Sequence, residues 1–240
     1  MIINLRQDVL AAYSEQATEI RGMLARRDVY MVNLIGSPGS GKTLLLERTL
    51  ERLSAHRRVA VIEGDVETQR DAERLERFGV PLVSVNTGGA CHLEPHSVAG
   101  ALEKLDLGDL DLVFVENVGN LICPVEFDLG ENARVAVSSL PEGEDKPTKY
   151  PALFREASAV VLNKSDLAPH LPFDPAFYRS EVRRLNGKAP LFELSAATGA
   201  GVDAWVEWLL SRGGDGRDAV DGDAGNRDAG NRDAGGGERS

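Results

Sequence analysis

Residues 36–43 decide more about the fold than any other segment of the chain. They read Gly-Ser-Pro-Gly-Ser-Gly-Lys-Thr and lie between an apolar run, Val29–Ile35, and a helical pattern, Lys42–Arg52. This spacing fits the G-x-x-x-x-G-K-[ST] motif, in which backbone N–H groups of a strand-to-helix turn surround phosphate oxygens. We expect Lys42 to reach the β- and γ-phosphates and the Thr43 hydroxyl to bind Mg²⁺; the alternative is a glycine-rich turn that binds nothing. The predicted phosphate-binding residues are Gly36, Ser37, Pro38, Gly39, Ser40, Gly41, Lys42 and Thr43.

Strand and helix patterns alternate along the chain. Strands are predicted at Val29–Ile35, Arg58–Ile62, Pro81–Val85, Leu112–Glu116, Arg134–Ser138, Ala159–Leu162 and Leu191–Leu194. Helices are predicted at residues 6–27, Lys42–Arg52, Glu67–Phe78, Pro95–Leu105, 174–186 and 201–212. Such alternation favours a mostly parallel sheet with helices on both faces. The predicted fold is therefore α/β, a P-loop NTPase preceded by an amphipathic N-terminal helix.

Residues 213–240 differ in composition from the rest of the chain. They contain no aromatic residue and one β-branched residue, Val220, and they repeat Asn-Arg-Asp-Ala-Gly at 226–230 and 231–235. Such a segment buries too little apolar surface to offset the entropy of ordering it, so we predict a disordered acidic tail. A metal-binding tail is the alternative, although the segment lacks His and Cys. The predicted organisation is an N-terminal helix (1–28), a nucleotide-hydrolysing domain (29–212) and this tail (213–240).

Net charge, cysteine usage and hydropathy exclude several classes of protein. The formal net charge of −11 argues against a nucleic-acid partner. Two cysteines in 240 residues do not make a disulfide scaffold. The N-terminus lacks a signal-peptide pattern, and no apolar run approaches the roughly 18–20 residues that span a bilayer. We therefore expect a cytoplasmic protein without a membrane partner.

The segment Asn163-Lys164-Ser165-Asp166 predicts which base is recognised. It follows a predicted strand and fits N-K-x-D. A carboxylate at Asp166 accepts hydrogen bonds from the N1–H and the exocyclic amine of guanine, a donor pair that adenine lacks. Ser195 and Ala196, directly after the last predicted strand, form the second base-contact segment expected of GTPases. The predicted substrate is GTP.

Two acidic residues follow buried strands between these motifs. Asp65 and Glu116 lie at predicted strand ends, where open α/β sheets bind ligands. A carboxylate at this edge holds Mg²⁺ directly or through water, whereas the alternative is that one of the two only caps a turn. We predict that Lys42, Asp65 and Glu116 act in catalysis, with Thr43, Asp65 and Glu116 around Mg²⁺.

Cysteine and histidine residues supply a second candidate site. Cys91 and His92 are adjacent, and His96 and Cys123 follow them, each after a predicted strand. Thiolate and imidazole suit zinc, nickel and copper better than magnesium. The spacing alone leaves two possibilities open: one shared metal ion, or two buried cysteines with two unrelated surface histidines.

Taken together, these segments resemble the hydrogenase-maturation nickel-incorporation GTPases of the HypB type. The matching stretches are Asn33–Thr43, Gly64–Arg74, Asn86–His96, Glu116–Gly130, Glu142–Phe154 and Asn163–Leu167. The resemblance runs over about residues 5–210, and Glu116–Gly130 is especially specific to this family. Many bacterial members open with a cysteine-rich or histidine-rich stretch, which this chain does not show, so high-affinity nickel storage is not expected. Residues 88–90 read Gly-Gly-Ala, where the family commonly has a lysine and an acidic residue.

The resemblance implies functions that spacing does not reveal. It implies slow hydrolysis of GTP with Mg²⁺, a homodimer formed through the nucleotide and metal face, and Ni²⁺ or Zn²⁺ bound by Cys91, His92 and Cys123. His96 matches a further histidine that some members use. The implied function is GTP-controlled delivery of Ni²⁺ to the large subunit of a [NiFe]-hydrogenase, alongside a partner nickel metallochaperone.

The chain segment between the two sites suggests how they communicate. Glu116–Gly119 is placed to sense the γ-phosphate, with an amide from Gly119, and Cys123 lies four residues further on. Loss of the γ-phosphate is therefore expected to shift a metal ligand. Three alternatives stay open: a urease-accessory GTPase, whose metal motif is typically Cys-Pro-His where this chain has Cys123-Pro124-Val125, a small-molecule kinase, and a zinc-stabilised dimerisation GTPase with little metal delivery.

Overall fold

A computed structural model describes the backbone of residues 5–65 and 74–212 and the side chains of residues 11–64 and 74–212. The helices are α1 (Leu5–Ala25), α2 (Lys42–Leu53), α3 (Pro95–Leu102), α4 (Lys146–Lys149), α5 (Pro151–Glu156), α6 (Pro175–Leu185) and α7 (Val202–Leu210). The strands are β1 (Tyr30–Gly36), β2 (Val59–Asp65), β3 (Leu82–Asn86), β4 (Leu112–Glu116), β5 (Ala133–Ser139), β6 (Ala159–Asn163) and β7 (Leu191–Glu193). Short 3₁₀ turns lie at Leu107–Asp109, Cys123–Val125, Leu140–Glu142 and Ser165–His170.

The strands form one sheet in the order β3-β2-β4-β1-β5-β6-β7, and every pair is parallel. Strand β1 is central because the chain proceeds from it to β2 on one side and later to β5 on the other. All seven strands end at the same edge, and the order reverses at β1. Open α/β sheets bind ligands at this switch point, so the topology places the loop after β1 at the ligand-binding edge.

Strand alternation divides the core into two layers. On one face, Val32 and Leu34 of β1 pack with the apolar sides of α2 and α7. On the other face, Met31 packs with α1 and α3, and Ile35 packs with α5 and α6. Strand β1 therefore has apolar residues on both faces, as expected of a parallel sheet with helices on both sides. The predicted α/β fold is confirmed.

Helix α1 packs on the sheet through one apolar stripe. Ala17, Ile20 and Leu24 are fully or almost fully buried and follow helical spacing, while charged residues occupy the outer face. The helix contacts α3, and its C-terminal end leads directly into β1. The N-terminal helix is therefore part of the same packed unit as the sheet.

Strand β4 has the predicted bounds, and the ends of the other predicted elements within the described residues differ from the predictions by at most three residues. Strand β2 extends to Asp65, beyond the predicted end at Ile62, because Glu63 pairs with both β3 and β4 and the next two residues continue the pairing with β3. Helices α4 and α5 were not predicted, since they are only four and six residues long and contain prolines in their first turns. Most of the helix predicted for Glu67–Phe78 lies outside the described residues, although residues 74–76 are helical.

The predicted tail, residues 213–240, also lies outside the described residues. Within the described ranges, no helix combines the length and the apolar character that spanning a bilayer requires.

Candidate functional site

The loop between β1 and α2 has the backbone conformation of a phosphate cradle. Gly39 and Gly41 adopt φ angles of +73° and +91°, which residues with a Cβ rarely adopt. A Cβ on Gly41 would also collide with the side-chain amide of Asn163. Lys42 Nζ donates to the carbonyls of Gly36 and Ser37 at 3.2 and 3.4 Å, so the ammonium lies over the loop that it is expected to serve.

A cleft of about 410 Å³ opens beside this loop. At its floor, Thr43 Oγ1 donates to Glu116 Oε1 at 2.8 Å, and both residues are buried. Glu63 of β2 lies opposite Glu116 in the strand register, is buried, and also lines the cleft. A hydroxyl and two carboxylates form a set of hard oxygen ligands, and this donor set fits Mg²⁺. Gly119 forms part of one wall of the cleft. Its backbone lies so close to the phosphate loop that an added Cβ would be 2.9 Å from Pro38 N.

The second predicted nucleotide segment is tied to the first by hydrogen bonds. Asn163 Nδ2 donates to Ser40 O at 3.0 Å, and Lys164 Nζ donates to Gly39 O at 2.6 Å. The amide of Ala196 donates to Asn163 Oδ1 at 3.0 Å. Three distant parts of the chain therefore converge at the carboxyl edge of β1, β6 and β7.

Asp166 lies at the outer end of this arrangement. Ser195 Oγ donates to Asp166 Oδ1 at 2.5 Å, which fixes the carboxylate while leaving its second oxygen for another donor. The arrangement fits the predicted recognition of the guanine edge by Asp166, with Ser195 as its support.

Three of the four predicted soft ligands come together. Ligand atoms of Cys91, His92 and Cys123 all lie within 4.8 Å of one another, and His92 Nδ1 is 3.5 Å from Cys91 Sγ. Two thiols and an imidazole at this separation match the donors that Ni²⁺ and Zn²⁺ take. His96 is not in this cluster: its Nδ1 lies 3.1 Å from Glu94 Oε2 and its Nε2 lies 3.2 Å from Ser97 Oγ.

The surroundings of the cluster affect its protonation. Hydrogen bonding to Cys123, with burial as a smaller cause, raises the pKa of the Cys91 thiol. Burial lowers the pKa of His92, against the opposing charges of Glu94 and Glu126, and this favours the neutral imidazole that binds a metal ion. The ring of His92 stacks on Phe127 with centroids 4.0 Å apart and an interplanar angle of 12°.

A buried amide connects the nucleotide cleft to the metal cluster. Asn117 follows Glu116 and is 1% exposed. Its Oδ1 accepts from the amides of Leu93 at 3.1 Å and Val118 at 3.0 Å, and its Nδ2 donates to Asn33 Oδ1 at 3.2 Å. Because Leu93 directly follows His92, one side chain bonds both to the metal loop and to the strand end at the nucleotide.

Sequence reasoning missed several residues of this region, among them Glu63, Arg74 and Phe127, and it gave Asn117 only as part of the segment Glu116–Gly119. A charged residue within the apolar run of β2 was the available signal for Glu63. Arg74 lines the cleft and its Nη2 lies 2.6 Å from Glu47 Oε1, a contact that no local pattern reveals. For Asp65, the backbone pairs with Asn86 in the sheet, and its side chain lies outside the described residues.

Comparisons with known proteins agree with this geometry. Residues 30–193 match the family model described as the CobW/HypB/UreG nucleotide-binding domain. The hydrogenase maturation factor HypB of Azotobacter chroococcum is 47% identical over 208 residues, covering 87% of this chain and 68% of that protein.

Two solved structures are also similar. HypB from Archaeoglobus fulgidus has a TM-score of 0.79 at 40% identity, covering 84% of this chain and 98% of that one. HypB from Helicobacter pylori in complex with nickel has a TM-score of 0.79 at 34% identity, covering 83% and 94% of the two chains. With its sheet, its phosphate loop and its Cys/His cluster, the chain belongs to the HypB family of hydrogenase maturation factors, within the CobW/HypB/UreG group of nucleotide-binding domains.

Proposed function

We propose that this protein hydrolyses GTP and uses the nucleotide state to control delivery of Ni²⁺ during maturation of a [NiFe]-hydrogenase. One observation carries the proposal: a phosphate cleft and a Cys/His cluster lie at one sheet edge and are joined by residues 116–123. Family membership and the solved nickel complex of a relative support the cargo. The chain would act as a homodimer, with a partner metallochaperone and the hydrogenase large subunit as its partners.

Stabilisation of charge accounts for the proposed hydrolysis. Backbone amides of residues 39–43 and the Lys42 ammonium would bind the β- and γ-phosphates and stabilise charge on the transferring phosphoryl group. Mg²⁺, held by Thr43 and Glu116 with Glu63 or Asp65 beside them, would neutralise phosphate charge when bound. Glu63 and Glu116 are buried in register at the cleft, and in this proposal one of the two carboxylates would orient the attacking water.

Guanine selection would depend on Asp166. A carboxylate that is held by Ser195 and that meets the wrong base forgoes the two hydrogen bonds that guanine would donate. The links from Asn163 to Ser40 and from Lys164 to Gly39 would make base binding and phosphate binding depend on one another.

Nickel is the proposed cargo of the Cys/His cluster. Cys91 is exposed and Cys123 is partly exposed, so a metal ion can enter and leave without unfolding of the core. The neighbouring Ile122 is 60% exposed, one of two large apolar side chains that are exposed within the described residues. An exposed apolar side chain beside exposed ligands suits a face that a second copy of the chain covers, and a second copy would complete the ligand set.

Coupling between the sites would follow two short routes. The chain runs directly from Gly119, at the cleft, to Cys123. Asn120 Nδ2 donates to the Cys91 carbonyl at 3.4 Å, and Asn117 bonds to the amide of Leu93. Movement of residues 116–120 on loss of the γ-phosphate would therefore displace both ligand-bearing segments.

Nucleotide turnover and metal binding by the purified chain test the proposal. We expect hydrolysis of GTP in preference to ATP, its loss in Lys42→Ala, and tight binding of Ni²⁺ that is lost in Cys91→Ala. A chain that turns over ATP as readily as GTP would fit a small-molecule kinase instead. Binding of zinc without nickel would fit a dimerisation GTPase that delivers no nickel.

A further inference from the structure

The ring of His92 is oriented by stacking and not by a hydrogen bond at its second nitrogen, Nε2. Histidines that bind metal ions usually donate their second ring N–H to a carboxylate or carbonyl, which fixes the ring plane. Here Nδ1 faces Cys91 Sγ at 3.5 Å, while the buried Nε2 has no hydrogen-bond partner among the described residues. The parallel stack on Phe127, 4.0 Å between centroids, takes over the orienting contact.

Phe127 is itself held in place by helix α1. Tyr13 of α1 meets Phe127 edge-on, with centroids 5.6 Å apart and an interplanar angle of 66°. Arg21 of α1 donates to both carboxylate oxygens of the adjacent Asp128 at 2.8 Å. Gly130 lies so close to α1 that an added Cβ would be 2.6 Å from the carbonyl oxygen of Ala17. Contacts at three points along α1 thus fix the segment that carries Phe127.

Ordering the ring before the metal arrives has a physical benefit. The imidazole torsion χ2 has broad minima, so an unsupported ring loses rotational freedom when a metal ion fixes it. A stacked ring has already lost this freedom, and its nitrogen already points at the thiols. Phe127 is only partly buried and lies outside the three hydrophobic clusters, so it is not a residue of the core.

We propose that Phe127, supported by Tyr13 on helix α1, is a positioning residue that holds the imidazole of His92 in the orientation for binding Ni²⁺. The inference rests on the proposed function of the Cys/His cluster. It assigns to the N-terminal helix a part in metal affinity in addition to its part in the fold.

A double-mutant cycle in the full-length chain tests the proposal. Phe127→Leu keeps apolar volume but removes the stacked ring, and we expect Ni²⁺ affinity to fall about two- to tenfold, the range typical of an aromatic pair. Phe127→Tyr should keep the parental affinity because it keeps the ring. In a His92→Ala background, Phe127→Leu should cause no further loss, since Phe127 acts through His92. In metal-free protein, affinity for the GTP analogue should not change in Phe127→Leu or Phe127→Tyr.

The outcomes separate this proposal from the proposed function. An equal loss with and without His92, or unchanged affinity in Phe127→Leu, would overturn the positioning role while leaving the nickel site intact. Parental protein that binds neither Ni²⁺ nor Co²⁺ would overturn both. In metal-free protein, stacking should also shift the proton resonances of the His92 ring upfield, and Tyr13→Leu should reduce this shift; unshifted ring protons in the parent would contradict the stack itself.

Discussion

The single carboxylate of Asp166 carries the predicted choice of base. Replacing it in Asp166→Asn exchanges an acceptor for a mixed amide, so a bound guanine would lose its paired hydrogen bonds. We expect GTP affinity to fall by about 10²-fold or more, because the two guanine donors would no longer meet a carboxylate that accepts both hydrogen bonds. Xanthosine triphosphate should bind the variant better than GTP, and competition binding measures both. Unchanged GTP affinity with continued rejection of xanthosine would assign base recognition elsewhere.

The two cysteines should contribute alike to metal binding. Cys91→Ala and Cys123→Ala each remove a thiolate ligand. The resulting fall in metal affinity should be larger than the roughly 10- to 100-fold fall that follows the loss of a residue supporting a ligand. His96→Ala is a matched control, since His96 contacts Glu94 and Ser97 rather than the cluster. Titration with nickel and zinc measures the three variants. Equal losses in His96→Ala would place His96 in the site, and undiminished binding in both cysteine variants would exclude the cluster.

Individual residues differ in how far the sequence alone could reveal them. The phosphate loop and the N-K-x-D segment are contiguous, and the spacing within each is enough to recognise it. The place of Glu63 beside Glu116 depends on strand register, and the link from Asn117 to the metal loop depends on its bond to Leu93, 24 residues earlier. Phe127 matters through a stack with a side chain from another loop. Such contacts depend on strand register and loop paths that periodicity does not encode.

At the level of elements, the contact between α1 and Gly130 offers a test of how α1 is held. Gly130 has φ +79°, and an added Cβ would lie 2.6 Å from Ala17 O. We expect Gly130→Ala to reduce the free energy of unfolding by about 2 kcal/mol or more, because strain and a backbone clash add. Gly100→Ala is the control: Gly100 lies in α3 with no atom within 4 Å of an added Cβ, so stability should rise by about 0.5–1 kcal/mol. Urea denaturation measures both, and equal effects would contradict the clash.

The elements themselves were largely predictable because periodicity reports burial. All seven strands and the helices α1, α2, α3, α6 and α7 correspond to predicted segments. Their ends were less certain, since β2 is prolonged by pairing on both sides and hydrogen bonding outweighs the polarity of Glu63. Helices α4 and α5 depend on tertiary packing, with Leu153 and Phe154 buried against α6, and their few residues leave no periodic pattern.

For the whole molecule, the order of strands explains why two sites lie together. Strand β4 lies between β1, which precedes the phosphate loop, and β2, whose other neighbour β3 leads to Cys91 and His92. The loop after β4 therefore passes the nucleotide cleft first and the metal cluster next. The sequence predicted a parallel sheet, whereas the strand order required the structure. Before the strand order was known, the proximity of Cys91 and Cys123 was only a hypothesis.

This arrangement makes the affinities for metal and nucleotide interdependent. We expect Ni²⁺ affinity to differ between the GDP-bound and GTP-analogue-bound protein, by roughly 5- to 150-fold if the coupling is of ordinary strength. Metal must then change the ratio of GDP to GTP-analogue affinity by the same factor, because the coupling free energy is reciprocal. Isothermal titration in both orders measures the two factors. Equal metal affinity in both nucleotide states would refute the switch and leave the site intact.

The bond between Asn117 and Leu93 provides the sharper form of this prediction. Asn117→Ala removes the side chain that accepts from the Leu93 and Val118 amides, so we expect the coupling factor to fall toward one while each ligand still binds. Asn186→Ala is the matched control, since its amide donates to the carbonyls of residues 154, 155 and 157, away from both sites. Asn117→Ala loses buried hydrogen bonds and Asn186→Ala loses partly buried ones. Each variant should lose about 1–3 kcal/mol of stability, but only the first should uncouple the sites. If Asn117→Ala keeps the parental coupling factor, the bond to Leu93 carries none of the coupling, and the nucleotide state must reach the metal through the run from Gly119 to Cys123 or through the bond from Asn120 to the Cys91 carbonyl.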